Sequence, residues 1–195
     1  ERYSDDYLDT NLFTSDNKEN LWDGKISLEY YIDDTLVYAS LKQSEKPGGV
    51  NTSASSNAVL MSAPFRSFVA DKLRFDNETL LNKEVGLKRY FFDDALSLRA
   101  ALFHTDRAQA QLESWIWDAS AGLWIGYLDS TSDASNYGAE IETNYRASSD
   151  LNLFLSLGFL KTEVKNLSVF DLDANTFVSR NGRSQAKAPS WQYAV

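Results

Sequence analysis

Residues 24–51 read GKISLEYYIDDTLVYASLKQSEKPGGVN, and their alternation of apolar and polar side chains decides the fold class. Side chains two apart along a strand share one face, so such a pattern gives one apolar and one polar face. The polar stretch Asp33-Asp34-Thr35 interrupts the pattern, which then resumes. This arrangement predicts a β-hairpin. Its apolar face consists of Ile26, Leu28, Tyr30, Ile32, Val37, Ala39 and Leu41.

The same arrangement recurs twice further along the chain. A predicted strand near Lys83–Phe91 leads through a turn at Phe92–Ala95 into a second strand that begins at Leu96. A third hairpin turns at Ala147–Asp150 and continues into an apolar row, Leu151–Phe159. That row is about nine residues long, which is the length that a tilted membrane-crossing strand requires.

The connections between the hairpins are much longer than the turns within them. The segment Glu45–Leu81 joins the first two hairpins and is rich in Gly, Ser and Asn at its start, whereas ordinary loops run about 4–6 residues. The next tip is expected near Asp118–Gly122, and the flanking strands Arg107–Trp117 and Leu123–Asp129 are expected to extend beyond a bilayer. Tight turns at one end and long excursions at the other are typical of outer-membrane barrels.

Composition excludes several classes of protein. The formal charge of −9 argues against nucleic acid as a partner. The chain has no cysteine, which excludes disulfides and thiolate metal sites. No run of residues approaches the roughly 18 apolar residues of a membrane helix. The alternating pattern fixes two faces without saying whether the apolar one meets lipid or a protein core. A membrane β-barrel and a soluble all-β carbohydrate-binding module with an aromatic sugar platform both fit it.

Three segments carry a more specific resemblance. They are LVYASLKQSEKPGGVN (36–51), FDNETLLNKEVGLKRYFFDDALSLRAALFHTDRAQAQ (75–111) and SNYGAEIETNYRASSDLNLFLSLGFLKTEV (135–164). In this order and at this spacing they resemble successive barrel segments of TonB-dependent outer-membrane receptors. The stretch GRSQAKAPSWQYAV (182–195) is similar to an Ala-Pro-containing turn of the same family. The resemblance covers about residues 22–195.

The resemblance implies an all-β fold, an antiparallel transmembrane β-barrel of about 22 strands with a plugged lumen, in the bacterial outer membrane. Short periplasmic turns and long extracellular loops are expected, with residues 1–195 forming a partial slice of the large barrel and no counterpart of the plug domain among them. The implied function is uptake of a scarce ligand, most often a ferric siderophore. The implied partners are that ligand, outer-membrane lipid and a TonB-type energy-coupling protein acting through the plug. No cofactor and no enzymatic activity are expected.

Trp115 and Trp117 are the candidate ligand-binding residues. Together with Trp124 they flank the predicted tip, and indole rings stack well on sugars and on aromatic siderophores. Packing across the tip or an aromatic girdle at the membrane surface would account for the same residues. The glycines Gly48 and Gly49, with the Ser/Asn-rich run that follows, are expected to form a mobile lid.

No catalytic or metal-binding residue is predicted. His104 ends the apolar row of its strand, where a residue at the membrane interface is expected. Glu140 and Glu142 share one face of their strand, and charge facing the barrel lumen explains them without a catalytic role. The stretch Lys46–Gly49 lacks the spacing of a phosphate-binding loop.

Overall fold

The computed structural model describes residues 2–8, 14–52, 70–119, 121–171 and 176–195, and it is built from antiparallel β-strands. The side chains of residues 2–8, 14–17, 170, 176 and 177 are not described. Among the described residues, no helix has the length and apolar character needed to cross a membrane. The strands are β1 (Arg2–Leu8), β2 (Thr14–Asn20), β3 (Gly24–Ile32), β4 (Thr35–Lys46), β5 (Gly49–Val50), β6 (Arg74–Phe75), β7 (Glu78–Phe91), β8 (Leu96–Asp118), β9 (Leu123–Arg146), β10 (Asn152–Lys165), β11 (Ser168–Asp171), β12 (Thr176–Ser179) and β13 (Trp191–Ala194).

Seven of these strands form one sheet in the order β13-β10-β9-β8-β7-β4-β3. The remaining strands form the two-stranded ribbons β1–β2, β5–β6 and β11–β12. The chain divides into two compact units. The sheet unit comprises residues 24–43, 80–106 and 134–195, and the loop unit comprises residues 1–23, 44–79 and 107–133. Strands β4, β7, β8 and β9 each contribute residues to both units.

The hairpin β3–β4 has the register that the alternating pattern predicts. Ile26 pairs with Leu41 and Leu28 with Ala39, so these side chains share one face. Glu29 pairs with Tyr38 on the opposite face. The turn between the strands lies at Asp33, whose φ of 50° is left-handed and is tolerated by aspartate better than by most residues.

The apolar face of the sheet unit is exposed rather than packed against a core. Ile26 is 76% exposed and Leu28 is 72% exposed. Exposed apolar patches of this extent are unusual on soluble proteins and mark surfaces that meet lipid or a partner. Other large apolar side chains of the sheet unit that remain exposed include Tyr30, Ile32, Val85, Leu102, Ile141, Leu153, Leu155 and Leu157.

The polar face of the sheet unit carries paired polar and charged side chains. The Tyr38 hydroxyl donates to the Glu84 carboxylate at 2.7 Å, and the Lys88 ammonium lies 5.5 Å from the centre of the Tyr38 ring. Arg99 lies 4.0 Å from Glu142. Glu142 thus forms an ion pair with an arginine on the same face of the sheet. This pairing is consistent with a structural rather than a catalytic role.

The three tight turns fall at one end of the sheet strands. Turns at Asp33–Asp34, Phe92–Ala95 and Ala147–Leu151 connect sheet neighbours β3–β4, β7–β8 and β9–β10. Neighbouring strands in this order run antiparallel. All three turns therefore lie at the same end of the strands, as predicted. The opposite strand ends lead into the longer connections at residues 47–77 and 166–190 and into the tip at residues 119–122.

The long connection contains more regular structure than the sequence predicted. Strand β4 continues to Lys46, and β7 begins at Glu78, five residues before the predicted start at Lys83. Between them, Gly49 pairs with Phe75 and Val50 with Arg74. The connection Glu45–Leu81 therefore includes a ribbon, and only its residues 53–69 lie outside the described part of the chain.

Candidate ligand-binding site

The tip of hairpin β8–β9 is a tight turn closed by Asp118. The Gly122 amide donates to the Asp118 carbonyl at 2.7 Å, and the Ala121 amide donates to the Asp118 carboxylate at 3.1 Å. Gly122 has a φ of 66°, a conformation that glycine adopts without strain. Asp118 is fully buried, and its two hydrogen bonds join the end of β8 to the residues just before β9.

Three tryptophans lie on the exposed side of this hairpin, next to the turn. The rings of Trp117 and Trp124 are 5.3 Å apart and inclined at 49°, a geometry that aromatic pairs favour. Trp115 and Trp124 are 58% and 61% exposed. The opposite side of the same strands is buried through Ile116, Ile125 and Tyr127.

Trp115 is held in place by a glycine and a glutamate. A Cβ at Gly126 would lie only 3.0 Å from the indole of Trp115, so the ring rests directly on the glycine backbone. The indole Nε1 donates to the Glu113 carboxylate at 3.0 Å. The ring is therefore both exposed and pre-oriented, which reduces the entropy that ligand binding would cost.

Trp115 and Trp124 form one side of a groove of about 690 Å³ in the loop unit. The long connection supplies the other side, through Thr52 and Phe75 among others. A volume of this size suits a small-molecule ligand. The remaining lining residues are Val50, Asn51, Glu113, Gly126, Tyr127 and Leu128.

Asn51 fastens the connection to strand β9. Its side-chain amide donates to the carbonyls of Lys72 and Leu128 at 2.7 and 2.9 Å. Its side-chain oxygen accepts from the Leu128 amide at 2.7 Å, and its backbone amide donates to the Leu73 carbonyl at 2.8 Å. Asn51 is buried, so it joins both arms of the connection to the hairpin that bears the tryptophans.

Two further contacts hold the returning arm of the connection. The Lys72 ammonium pairs with the Asp129 carboxylate at 2.9 Å, and the Asp76 amide donates to the Ser130 hydroxyl at 2.8 Å. Burial, reinforced by the Asp129 carboxylate, raises the pKa of Tyr127 to about 12. The Tyr127 phenol beside the groove is therefore neutral at physiological pH.

A buried polar cluster lies where the connection joins strand β7. Glu78 is 1% exposed; its carboxylate accepts from the Arg107 guanidinium and, at 3.0 Å, from the Gln111 amide. The Gln111 side chain donates to the carbonyls of Pro47 and Asp76 at 2.8 and 3.1 Å. Because each buried polar group in this cluster is paired, the base of the connection is rigid.

A family model described as TonB dependent receptor-like, beta-barrel matches residues 1–195. The chain belongs to the TonB-dependent receptor β-barrel family. This match decides between the two interpretations of the alternating pattern: the exposed apolar face is that of a bacterial outer-membrane barrel. It also extends the resemblance to the first twenty residues.

Two solved structures have the same fold as this chain. The ferric yersiniabactin uptake receptor FyuA from Yersinia pestis has a TM-score of 0.60 and 19% identity over 93% of this chain and 23% of its own. The ferric-catecholate import receptor Fiu from E. coli has a TM-score of 0.52 and 16% identity over 98% of this chain and 27% of its own. The chain thus spans about a quarter of the length of each receptor.

Of the two candidate ligand-binding residues, the structure places one beside the groove. Trp115 lines it, whereas Trp117 lies against Trp124 and is not among the lining residues. The contributions of Asn51 and Phe75 were missed, because no local pattern reveals a contact between a connection and a distant hairpin. Gly48 and Gly49 were expected in a mobile lid, yet both are buried, and Phe75 packs against Gly49.

His104 lies at the end of its apolar row, as predicted. Its Nδ1 is 3.5 Å from the Asp106 carboxylate, which also accepts from Lys83 at 2.9 Å. His104 and Lys83 border an apolar groove of the sheet unit that Ile26, Leu28 and Leu102 line. This position suits a residue at the boundary between lipid and water.

Proposed function

We propose that the chain forms part of the wall and loops of an outer-membrane receptor that takes up a scarce ligand, a ferric siderophore complex. Family membership supports receptor and transport activity. The two structural neighbours are a ferric yersiniabactin uptake receptor and a ferric-catecholate import receptor. In this proposal residues 1–195 form part of the barrel. A TonB-type coupling protein drives transport by acting on a plug domain, which is not among these residues.

The groove beside Trp115 and Trp124 is the observation that carries the proposal. It lies in the loop unit, whose residues 44–79 and 107–133 contain most of the long connection and the tip of hairpin β8–β9, the segments expected to be extracellular loops of a barrel. Its aromatic walls are exposed, while the contacts of Asn51 and Glu78 hold the surrounding backbone rigid. Rigid scaffolds that present exposed loop residues are a common basis of ligand recognition.

Energy-coupled iron uptake tests this proposal. The complete receptor is produced in cells that lack their other ferric siderophore receptors, and accumulation of radiolabelled iron from a panel of ferric complexes is measured. We expect accumulation of iron from at least one complex, and its loss when the energy-coupling protein is deleted. Equal accumulation with and without the coupling protein, or none from any complex, would contradict the proposed function.

A further inference from the structure

We infer that the groove accepts a ferric complex that carries no net negative charge, either an uncharged or a cationic one. This inference rests on the proposed function and narrows its ligand class. Ferric siderophores fall into groups of different charge. An iron centre held by three catecholates is a trianion, one held by three hydroxamates is uncharged, and hydroxamates with a free amine form cations. The charges of the groove discriminate between these groups.

The charged side chain in the described lining of the groove is an acid. Glu113 lies beside the Trp115 indole, with 3.0 Å between its carboxylate and the indole nitrogen. Within the described part of the chain, no lysine, arginine or histidine lines the groove. Like charges a short distance apart repel one another even in water, and more strongly where water is excluded. An anionic complex placed on Trp115 would therefore be repelled by Glu113.

Two cations of the loop unit, Lys72 and Arg107, are engaged with carboxylates. Lys72 is bonded to Asp129 at 2.9 Å, and Arg107 is bonded to the buried Glu78. Releasing either cation toward a ligand would leave a carboxylate unpaired, which is strongly unfavourable when the group is buried. Neither cation is therefore available to bind an anionic complex without losing its carboxylate partner.

The charge of the whole loop unit favours the same ligand class. Its ranges contain fifteen acidic and seven basic side chains, a formal charge of −8, whereas the sheet unit, with thirteen and twelve, carries −1. Almost all of the chain's charge of −9 is thus concentrated in the unit that contains the groove. A field of one sign repels ligands of that sign and attracts the opposite sign during diffusional encounter. The indole faces of Trp115 and Trp124 also attract cations.

A panel of ferric complexes of different charge tests the inference in the complete receptor. The probes are ferrichrome, which is uncharged, ferrioxamine B, whose free ammonium makes it cationic, and ferric enterobactin, a trianion. Radiolabelled iron uptake is measured in cells without other siderophore receptors. We expect uptake from an uncharged or cationic complex and little from the trianion. Uptake of the trianion alone would overturn the inference while leaving the proposed function intact. Uptake of none of them would overturn both.

Two matched charge reversals locate the effect. Glu113→Lys replaces the acid in the groove, and Asp71→Lys makes the same change at an exposed site of the loop unit that does not line the groove. We expect Glu113→Lys to lower uptake of the cationic complex relative to the trianion by about fivefold or more, and Asp71→Lys to change this ratio far less. Equal ratios in both variants and in the parent receptor would overturn the assignment to the groove.

Discussion

The ring of Tyr38 on β4 lies directly over Gly86 on β7. A Cβ at position 86 would come within 2.6 Å of the Tyr38 phenol oxygen and within 2.7 Å of the Ala100 carbonyl oxygen. The ring can therefore lie flat along the polar face, where its hydroxyl reaches Glu84 at 2.7 Å. A similar relationship occurs between β8 and β9, where the Phe103 ring covers Gly138. Strand glycines here create space for an aromatic side chain of another strand.

Gly86→Ala is expected to destabilise the folded barrel by about 1–3 kcal/mol, because overpacking forces either the ring or the backbone to move. The measurement is the temperature at which the folded receptor converts to its unfolded form on a denaturing gel. Gly158→Ala is the matched control, since a Cβ there would meet no atom within 4 Å. Similar conversion temperatures for the two variants would contradict this packing account.

Asn51→Ala is expected to loosen the long connection without unfolding the sheet. The substitution removes three side-chain hydrogen bonds at a buried position, and buried backbone groups left unsatisfied cost about 1–3 kcal/mol each. Limited trypsin cleavage after Lys72 should become faster in the intact receptor, because the Lys72 carbonyl loses its hydrogen bond to the Asn51 side chain. Asn144→Ala, at an exposed position of β9, is the control. Unchanged cleavage in the Asn51 variant would show that other contacts suffice to hold the connection.

Leu155→Arg and Ser156→Arg test which face of β10 meets lipid. Leu155 lies in the apolar row and is exposed, whereas Ser156 pairs with Ala194 and faces the other way. An arginine on the lipid face near the bilayer midplane costs about 2–4 kcal/mol. We expect that loss of folding free energy for Leu155→Arg and a much smaller loss for Ser156→Arg. Equal losses would mean that the lipid-facing side has been assigned incorrectly.

Local sequence patterns were sufficient to predict three hairpins of the sheet and their turns. The alternation from Ile26 to Leu41 specifies both faces of a hairpin, because the period of a strand is two and its partner is adjacent in sequence. The continuous run of β8 past Arg107 was also predicted, and it is confirmed as Leu96–Asp118.

The groove could not be predicted from the sequence, because it is formed by residues far apart along the chain. Asn51 contacts Leu128, 77 residues away along the chain. In the sequence, a single asparagine two residues after a glycine pair is typical of an ordinary loop. Phe75 and Trp115 likewise come together only after the connection has folded back. Trp115 could be named as a candidate ligand-binding residue, because the sequence shows three tryptophans beside a predicted turn.

Equilibrium binding of the transported ferric complex to outer membranes is the most direct test of the groove as the ligand site. The complete receptor is compared with the variant Trp115→Ala/Trp124→Ala and with Trp22→Ala, an exposed tryptophan of the loop unit that does not line the groove. Because aromatic side chains dominate the energy of many binding surfaces, we predict about tenfold or greater weakening in the double variant. We predict a smaller loss for Trp117→Ala, which only supports Trp124, and none for Trp22→Ala. Equal affinity in all four proteins would contradict the account and would place the ligand elsewhere on the receptor.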